Sequence, residues 1–575
     1  MVRIRKVGIS HFRSIKSLNW TPADGINCLV GPGDSGKSTI LDAIDLCLSA
    51  RRSAGFADTD FFQLDVKHPI VISLTIGELP DALLNLETYG EFLRGFDSET
   101  GEVEDEPRAA LETVLTFRLS VSSDLEALWA LYSMRAEAAG LEKALAWKDR
   151  AAISPARIGS YASTNLSWTR GSVLNRLTEE RPNLGADLAK AAREARSSFG
   201  TAAATQLAAS LKLVTDTASE LGVPVGGLAQ ALLDAHSVSI GDGAIALHNA
   251  SGIPLRSLGT GSSRLLIAGL QRAAAEAATI ALVDEVEYGL EPHRLTRLLH
   301  SLGAKESKPP LQVFMTTHSP VAVRELSGDQ LFVVRAKAKH HDVLHVGTTD
   351  DVQSTVRADP EAFLAKSVVV CEGASEVGFA RGLDQYWVDG GSQSFFALGG
   401  AFVNVGGSDA DKVYVRGTAL ADLGYRVLVL ADSDKAPSAE VVEAFAAAGG
   451  EQVVWRSPRT LEDELFHSLS DESINLLVDK AVEFVGKGLV NDNIQSESGG
   501  KVKLQGLLDD ADIAGFSPEA KKLLGAASRK RNSGWFKSVT RFEVVAQEVV
   551  GSGLVDAEMG FVALVRKLKR WMHAA

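Results

Sequence analysis

The chain has 575 residues, 45% hydrophobic and 23% charged, with a formal net charge of −14. That length exceeds a single hydrophobic core, and the acidic balance excludes nucleic-acid binding by bulk charge, leaving only local basic patches. Cys28, Cys47 and Cys371 are too few and too scattered for a disulfide framework or a zinc cluster. The first ten residues lack the apolar segment of a secretory signal, and no apolar run approaches a membrane span, so a cytoplasmic protein without a membrane partner is expected.

Val2 to Ile9 alternates apolar and charged residues, the pattern of a half-buried strand, and Phe12 follows as a core residue. The apolar run Ile26 to Val30 then leads into Gly31-Pro32-Gly33-Asp34-Ser35-Gly36-Lys37-Ser38-Thr39. Ile40, Leu41, Ala43 and Ile44 follow at helical spacing. Strand, glycine loop and helix are the context that a phosphate-binding loop requires. Its glycines let backbone N–H groups turn inward around phosphate oxygens, and the helix N-terminus adds partial positive charge. Lys37 is expected on the β- and γ-phosphates, and Ser38 on Mg²⁺. The chain is therefore expected to bind ATP. Gln63 is a candidate for the glutamine that many such ATPases place near the metal.

Val66 to Ile76 and Thr113 to Val121 are rich in β-branched residues and read as strands. The acidic, glycine-bearing segment Glu99 to Glu106 reads as a solvated loop. Leu125 to Met134 fits either a helix or the second strand of a hairpin. From about 174 to 236 the composition turns to alanine, leucine and mixed charge, which predicts two or three helices. They form an arm or dimerisation surface, or a plain structural insert. Next, Ser257 to Arg264 is a small-residue loop before an apolar helix. Thr279 to Val283 is a buried strand ending in Asp284 and Glu285, a Mg²⁺-side carboxylate and a base or water-orienting group. Leu311 to Thr317 is another buried strand, ending at His318, a candidate γ-phosphate sensor.

A second centre follows a strand-rich, basic connection from Arg335 to His345. Ser367 to Cys371 reads as a buried strand followed by Glu372 and, at a helix start, Glu376. Tyr425 to Ala431 reads as another, ending in Asp432-Ser433-Asp434. Residues two apart on a strand face the same way, so the two aspartates are expected in one site. Carboxylates gathered at strand ends repel one another unless a cation sits among them, and oxygen ligands favour Mg²⁺ or Mn²⁺. Glu462, in preference to Glu464, adds a further acid. Lys521 to Arg541 holds seven basic residues and no acids, and includes Gly534-Trp535-Phe536-Lys537. Trp535 and Phe536 are expected in the core, or else stacked on bases.

The first four motifs, in this order, resemble the ABC-type ATPase heads of the RecF and SMC branch. The resemblance makes Leu258 to Arg264 a variant of the signature loop. In such heads that loop completes the nucleotide site of a second subunit, so Gly261 would contact the partner's ATP and a homo-oligomer is implied. Glu372 with Asp432 and Asp434 resembles the Toprim domain. Together the two halves resemble the OLD (overcoming lysogenization defect) nuclease family, most of all its helicase-associated members, including the nuclease subunit of the Gabija antiphage system. The expected fold class is α/β, with an ABC-type ATPase head over 1–345 interrupted by the helical insert, and a Toprim nuclease domain over 346–575. The resemblance implies nucleotide-regulated, divalent-metal-dependent DNA cleavage. Glu372, Glu376, Asp432, Asp434 and Glu462 would hold two metal ions, about 3.5–4 Å apart in such sites. Lys537 would stabilise the phosphorane charge, DNA would be the substrate, and a UvrD-like helicase is an implied partner. The alternatives are a RecF-like ATP-switch protein that binds DNA without cutting it, and a topoisomerase- or primase-like enzyme, for which no nucleophile or transfer machinery is evident.

Overall fold

The computed structural model describes residues 2–48, 54–146, 247–273, 279–407 and 409–574, together with residue 50 and short stretches between 149 and 231. Thirteen described strands form one large mixed sheet, and four form a second, parallel one.

One half of the large sheet is antiparallel. Arg3–Phe12 pairs with both Ile15–Trp20 and Ile70–Gly77, and Ile70–Gly77 pairs with Glu112–Val121. Ala127–Tyr132 pairs antiparallel with Glu112–Val121, so the ambiguous Leu125 to Met134 segment is the hairpin and not a helix. Two residues of the expected solvated loop, Val103–Glu104, also pair, with Leu93–Phe96. The other half is mostly parallel, with Ile26–Val30 between Gln312–Thr316 and Leu331–Ala336, and Ile280–Val283 and Ala156–Ile158 beyond. Ile26–Val30, Ile280–Val283 and Gln312–Thr316 are buried along their whole length because both faces are covered. Helix Lys37–Leu48 buries Ile40, Leu41, Ala43 and Ile44 in the core that also holds Phe12. His341–His345 closes the sheet between Ile15–Trp20 and Leu331–Ala336.

The second sheet runs Gly400–Asn404, Ser367–Cys371, Arg426–Ala431, Glu451–Val454, all parallel. In chain order this is strand two, one, three, four, so the winding reverses between Ser367–Cys371 and Arg426–Ala431. One face packs on helix Ala374–Asp389 and the C-terminal helices. The other packs on helices Ala410–Asp422 and Ala439–Ala447, within a hydrophobic cluster that continues through Phe363, Val356 and Val323 into the large sheet. The two sheets thus share one buried core. Trp535 and Phe536 are fully buried, as core residues.

Of the expected helical insert, helix Ala208–Glu220 is described. Most of the segment, and with it the expected dimerisation surface, lies outside the described residues.

Candidate functional site

The loop after Ile26–Val30 has the conformation its glycines allow: Gly31 has φ +128° and Gly36 φ +91°, both in the region where a Cβ is strained. Gly33 and Asp34 lie at the exposed tip, and Ser35 and Gly36 are buried beneath it. Lys37 is 5% exposed and folds back into the loop. Its Nζ donates to the carbonyls of Gly31 at 3.0 Å and Pro32 at 2.7 Å and to Ser35 Oγ at 3.3 Å. Burial lowers its pKa to about 8. Those three oxygens hold the ammonium inside the loop. Thr39 Oγ1 lies 3.4 Å from Ser14 Oγ, on the first hairpin.

Asp284 follows the strand Ile280–Val283 and meets this loop. Its Oδ1 accepts from Ser38 Oγ at 3.0 Å and from Thr316 Oγ1 at 2.6 Å. The Mg²⁺-side pair expected from the sequence is therefore in contact. Glu285 is exposed and adopts φ +45°, its N–H donating to Thr316 Oγ1 at 2.8 Å. His318 is also exposed, and its N–H donates to Glu287 Oε1 at 2.7 Å, while Thr317 Oγ1 donates to Oε2 of the same carboxylate. Gln63 is exposed with φ +55°.

Gly261 stands in the first turn of helix Thr260–Ala273 and packs on its own chain: a Cβ there would lie 2.6 Å from the Gly289 carbonyl. Arg264, 1% exposed, donates to the carbonyls of Asp284, Glu285 and Tyr288 at 2.8–3.1 Å. Within one chain this segment therefore holds the Asp284–Tyr288 turn in shape. The sequence reading also missed Arg157, whose guanidinium reaches Asp42 at 2.7 Å, Asp45 at 3.4 Å and Asp284 at 3.9 Å.

The second centre lies at the C-terminal ends of the small sheet, in the crevice where its winding reverses, the usual ligand position in such sheets. A cavity of about 430 Å³ is lined by Glu372, Glu376, Asp432, Asp434, Glu462 and Lys537, with Arg529 and Asn404 at its walls. The strand ends at Ala431, so Asp432 and Asp434 stand in the turn that follows it and not on the strand as expected, yet both line the cavity. Backbone amides orient the acids through one oxygen each. Glu372 Oε2 accepts from the Asp432 N–H, Glu376 Oε2 from the Gly373 N–H, and Asp432 Oδ1 from the Leu461 N–H, each at 2.9 Å. Glu464 is turned away and paired with Arg456 and Arg459.

Helix Ala374–Asp389 carries Glu376 and approaches helix Val539–Val545 closely because Gly378 and Gly382 have no side chain. A Cβ on them would lie 2.3 Å from the Val539 carbonyl and 2.1 Å from that of Glu543. That approach brings Lys537 to the cavity. Of the other basic residues of the stretch, Lys521 pairs with Asp471 and Arg541 with backbone carbonyls, while Arg529 lines the cavity and also pairs with Asp463.

Burial, and then the neighbouring carboxylates, push the Glu376 and Asp432 carboxyls far above the usual range. Glu372 and Glu462 are raised as well, chiefly by burial, with the Lys537 ammonium opposing the shift at Glu462. Among the described residues no three His, Cys, Asp or Glu side chains are grouped tightly enough to hold one ion as they stand. The donor set still fits a divalent cation: all-oxygen, buried at Glu376 and Glu462, half-buried at Glu372 and Asp432, mutually repelling and short of positive charge.

Among curated proteins, the chain is 41% identical over 46 residues to the DNA replication and repair protein RecF of Chlorobium limicola, and 26% identical over 90 residues to that of Chlorobium luteolum. It spans 13% and 24% of their lengths, and these matches take in 8% and 16% of this chain. Among solved structures, the SMC head bound to the C-winged helix domain of ScpA aligns with 59% of this chain and 96% of that one, at 16% identity and a TM-score of 0.34. RecF–ATP aligns with 60% of this chain and 99% of that one, at 12% identity and a TM-score of 0.32. Likeness this slight carries no weight on the fold. Among the described residues no helix is long and apolar enough to cross a membrane. The family model described as AAA domain, putative AbiEii toxin, Type IV TA system, matches residues 26–324, from the strand before the phosphate loop to the helix after His318. This is just over half of the chain, and the protein belongs to that family of ATP-binding ATPase domains.

Proposed function

We propose that the protein is a nucleotide-regulated, divalent-metal-dependent DNA endonuclease, in which an ABC-type ATPase head is joined to a Toprim-like nuclease centre. The observation that carries this reading is the cavity of five carboxylates at the reversal point of the small sheet, with Lys537 among them. Glu372, Glu376, Asp432, Asp434 and Glu462 would hold Mg²⁺ or Mn²⁺, which when bound supplies a water of lowered pKa and charge stabilisation for the departing oxygen. The backbone amides of Gly373, Asp432 and Leu461 fix the carboxylates in orientation. Lys537 and Arg529, which carry the cavity's positive charge beside Lys435, would hold the scissile phosphate. In the other site Lys37 would bind the ATP phosphates, Ser38 and Asp284 its Mg²⁺, and Glu285 or His318 the attacking water or the γ-phosphate. Gly261 would serve the ATP of a second copy in a homo-oligomer. A cytoplasmic role in antiphage defence or DNA processing, with a UvrD-like helicase, belongs to the same reading.

The short RecF matches favour a second reading, an ATP switch that binds DNA without cutting it. One experiment separates them. Supercoiled and linear DNA are incubated with the full chain and Mg²⁺ or Mn²⁺, with and without ATP. Cleavage that is lost in Asp432→Ala supports the nuclease. Binding without cleavage under every condition leaves the ATP switch.

A further inference from the structure

A second cavity, of about 620 Å³, opens beside the carboxylate cavity, and Asn404 lines both. Its floor is the segment Gly399 to Phe402, at the start of a strand that pairs with Ser367–Cys371 on one side and with no other described strand on the other. Its wall carries the ring of Phe396, 51% exposed, an unusual position for so large an apolar side chain. Phe402 meets that ring edge-on, with centroids 5.6 Å apart, and the Arg381 guanidinium lies 5.7 Å from the Phe396 centroid. Asp359 also lines the cavity, one carboxylate oxygen accepting from the Asn404 N–H at 3.3 Å.

An aromatic face, a guanidinium and a carboxyl around a space larger than a purine make a receptor for a flat, polar-edged ring. Arg381 also lies 3.4 Å from the Glu543 carboxylate and Asp359 takes the Asn404 N–H, and both keep further hydrogen-bonding capacity that a simple aliphatic ligand would not use. The metal-binding acids begin one residue past the strand that neighbours this floor, since Cys371 pairs in register with Asn404 and Glu372 comes next. Asn404, at the strand's far end, borders both cavities, so a DNA strand whose phosphate lay among the carboxylates would pass the mouth of this one. We propose that the cavity takes an unstacked base of the DNA strand held in the carboxylate site, with Phe396 as the stacking face and Arg381 and Asp359 at its polar edge. The inference rests on the nuclease reading for the path of the strand, but its test reads binding and not cutting.

The experiment is an abasic scan. Labelled single-stranded oligonucleotides, each lacking one base at successive positions, are titrated with the full chain and followed by fluorescence anisotropy. Removing the docked base at one position is expected to weaken binding about tenfold. Phe396→Ala should weaken binding of the intact oligonucleotide by a similar factor and abolish the sensitivity at that position, because both changes delete one contact. Phe396→Tyr should restore it. Because Phe396 is half exposed, these variants leave the core intact. Affinity indifferent to every abasic position overturns the proposal. So do abasic and Phe396→Ala effects that simply multiply, and so does unchanged DNA affinity in Phe396→Ala, the outcome if the open strand edge serves a protein strand instead. Cleavage of the same oligonucleotides is read separately. Cutting without a sensitive position removes the base pocket alone; a sensitive position without cutting removes the nuclease alone.

Discussion

The two centres stand on strand ends of neighbouring sheets, but they balance charge in opposite ways. Around the phosphate loop the charged and hydroxyl groups already have partners within the chain. Lys37 is held by three oxygens, Asp284 by Ser38 and Thr316, and Glu287 by Thr317 and His318. In the carboxylate cavity, acids face acids. Burial and mutual repulsion raise their pKa values, and Lys537 opposes this at Glu462. The first site is held in shape by contacts within the chain, and on the proposed reading ATP would exchange with those partners. The second is short of positive charge, which on the proposed reading a bound cation would supply.

The sharpest way to break this comparison is to disable each centre alone. Glu372→Ala should reduce DNA cleavage to background, at least about 100-fold, with ATP affinity unchanged. Lys37→Ala should weaken ATP binding by roughly 10–100-fold, since it deletes charge-assisted contacts to phosphate, while Mn²⁺ still binds the carboxylates. Calorimetry with ATP and with Mn²⁺ on both variants reads the pair. If Glu372→Ala cuts at the wild-type rate, the carboxylates are a structural cluster. Lys537→Ala sharpens the result further: turnover falls while Mn²⁺ affinity holds or rises, because the lysine is a point charge for phosphate and not a ligand.

A smaller effect tests the partnered character of the first site. Arg264 spans three carbonyls of the turn after Asp284 from a fully buried position. Arg264→Ala leaves those acceptors without their donor and opens a cavity, which should cost about 2–4 kcal/mol of stability. Urea denaturation measures it. A loss below about 0.5 kcal/mol would mean that water replaces the guanidinium and that the turn keeps its own shape.

What the sequence disclosed about the two regions follows the range of the interactions. The phosphate loop is local: strand, glycines and helix adjoin in the chain, so Gly31 to Thr39 is legible from order alone. The paired acids are legible because each ends an apolar run such as Ser367–Cys371 or Arg426–Ala431. Strand alternation failed at Asp432 and Asp434 because the strand stops one residue earlier, and the turn, not the pleat, brings them together. Arg157 left no signal, since its strand has three residues and its partners lie more than a hundred residues away. Glu462 and Glu464 both stand in the first turn of one helix, and the way the turn before it folds Arg456 and Arg459 back onto Glu464 decides which is paired. The second cavity depends on Asp359, Arg381 and Phe396, three segments that only the fold assembles.

The smallest expected effect concerns pH at the phosphate loop. Burial lowers Lys37 to about 8, below the ordinary lysine value of 10.5. The unfolded chain thus holds this proton over a range in which the folded chain does not, so the lysine's contribution to folding stability rises as pH climbs from about 8 towards 10.5. For nucleotide binding the sign is reversed. Phosphate oxygens favour the ammonium form, so binding raises the Lys37 pKa and takes up a proton. ATP affinity should then be highest below about 8 and fall about fourfold between pH 7 and pH 8.5, as the protonated fraction of the free protein declines. Calorimetry in two buffers of different ionisation enthalpy reads the proton uptake directly. Lys37→Arg keeps its charge across that range and should flatten the profile. A wild-type profile as flat as that of Lys37→Arg would mean that the loop carbonyls, which also favour the charged form, already hold Lys37 protonated throughout. The loop would then exchange phosphate for carbonyl oxygens with no proton moving.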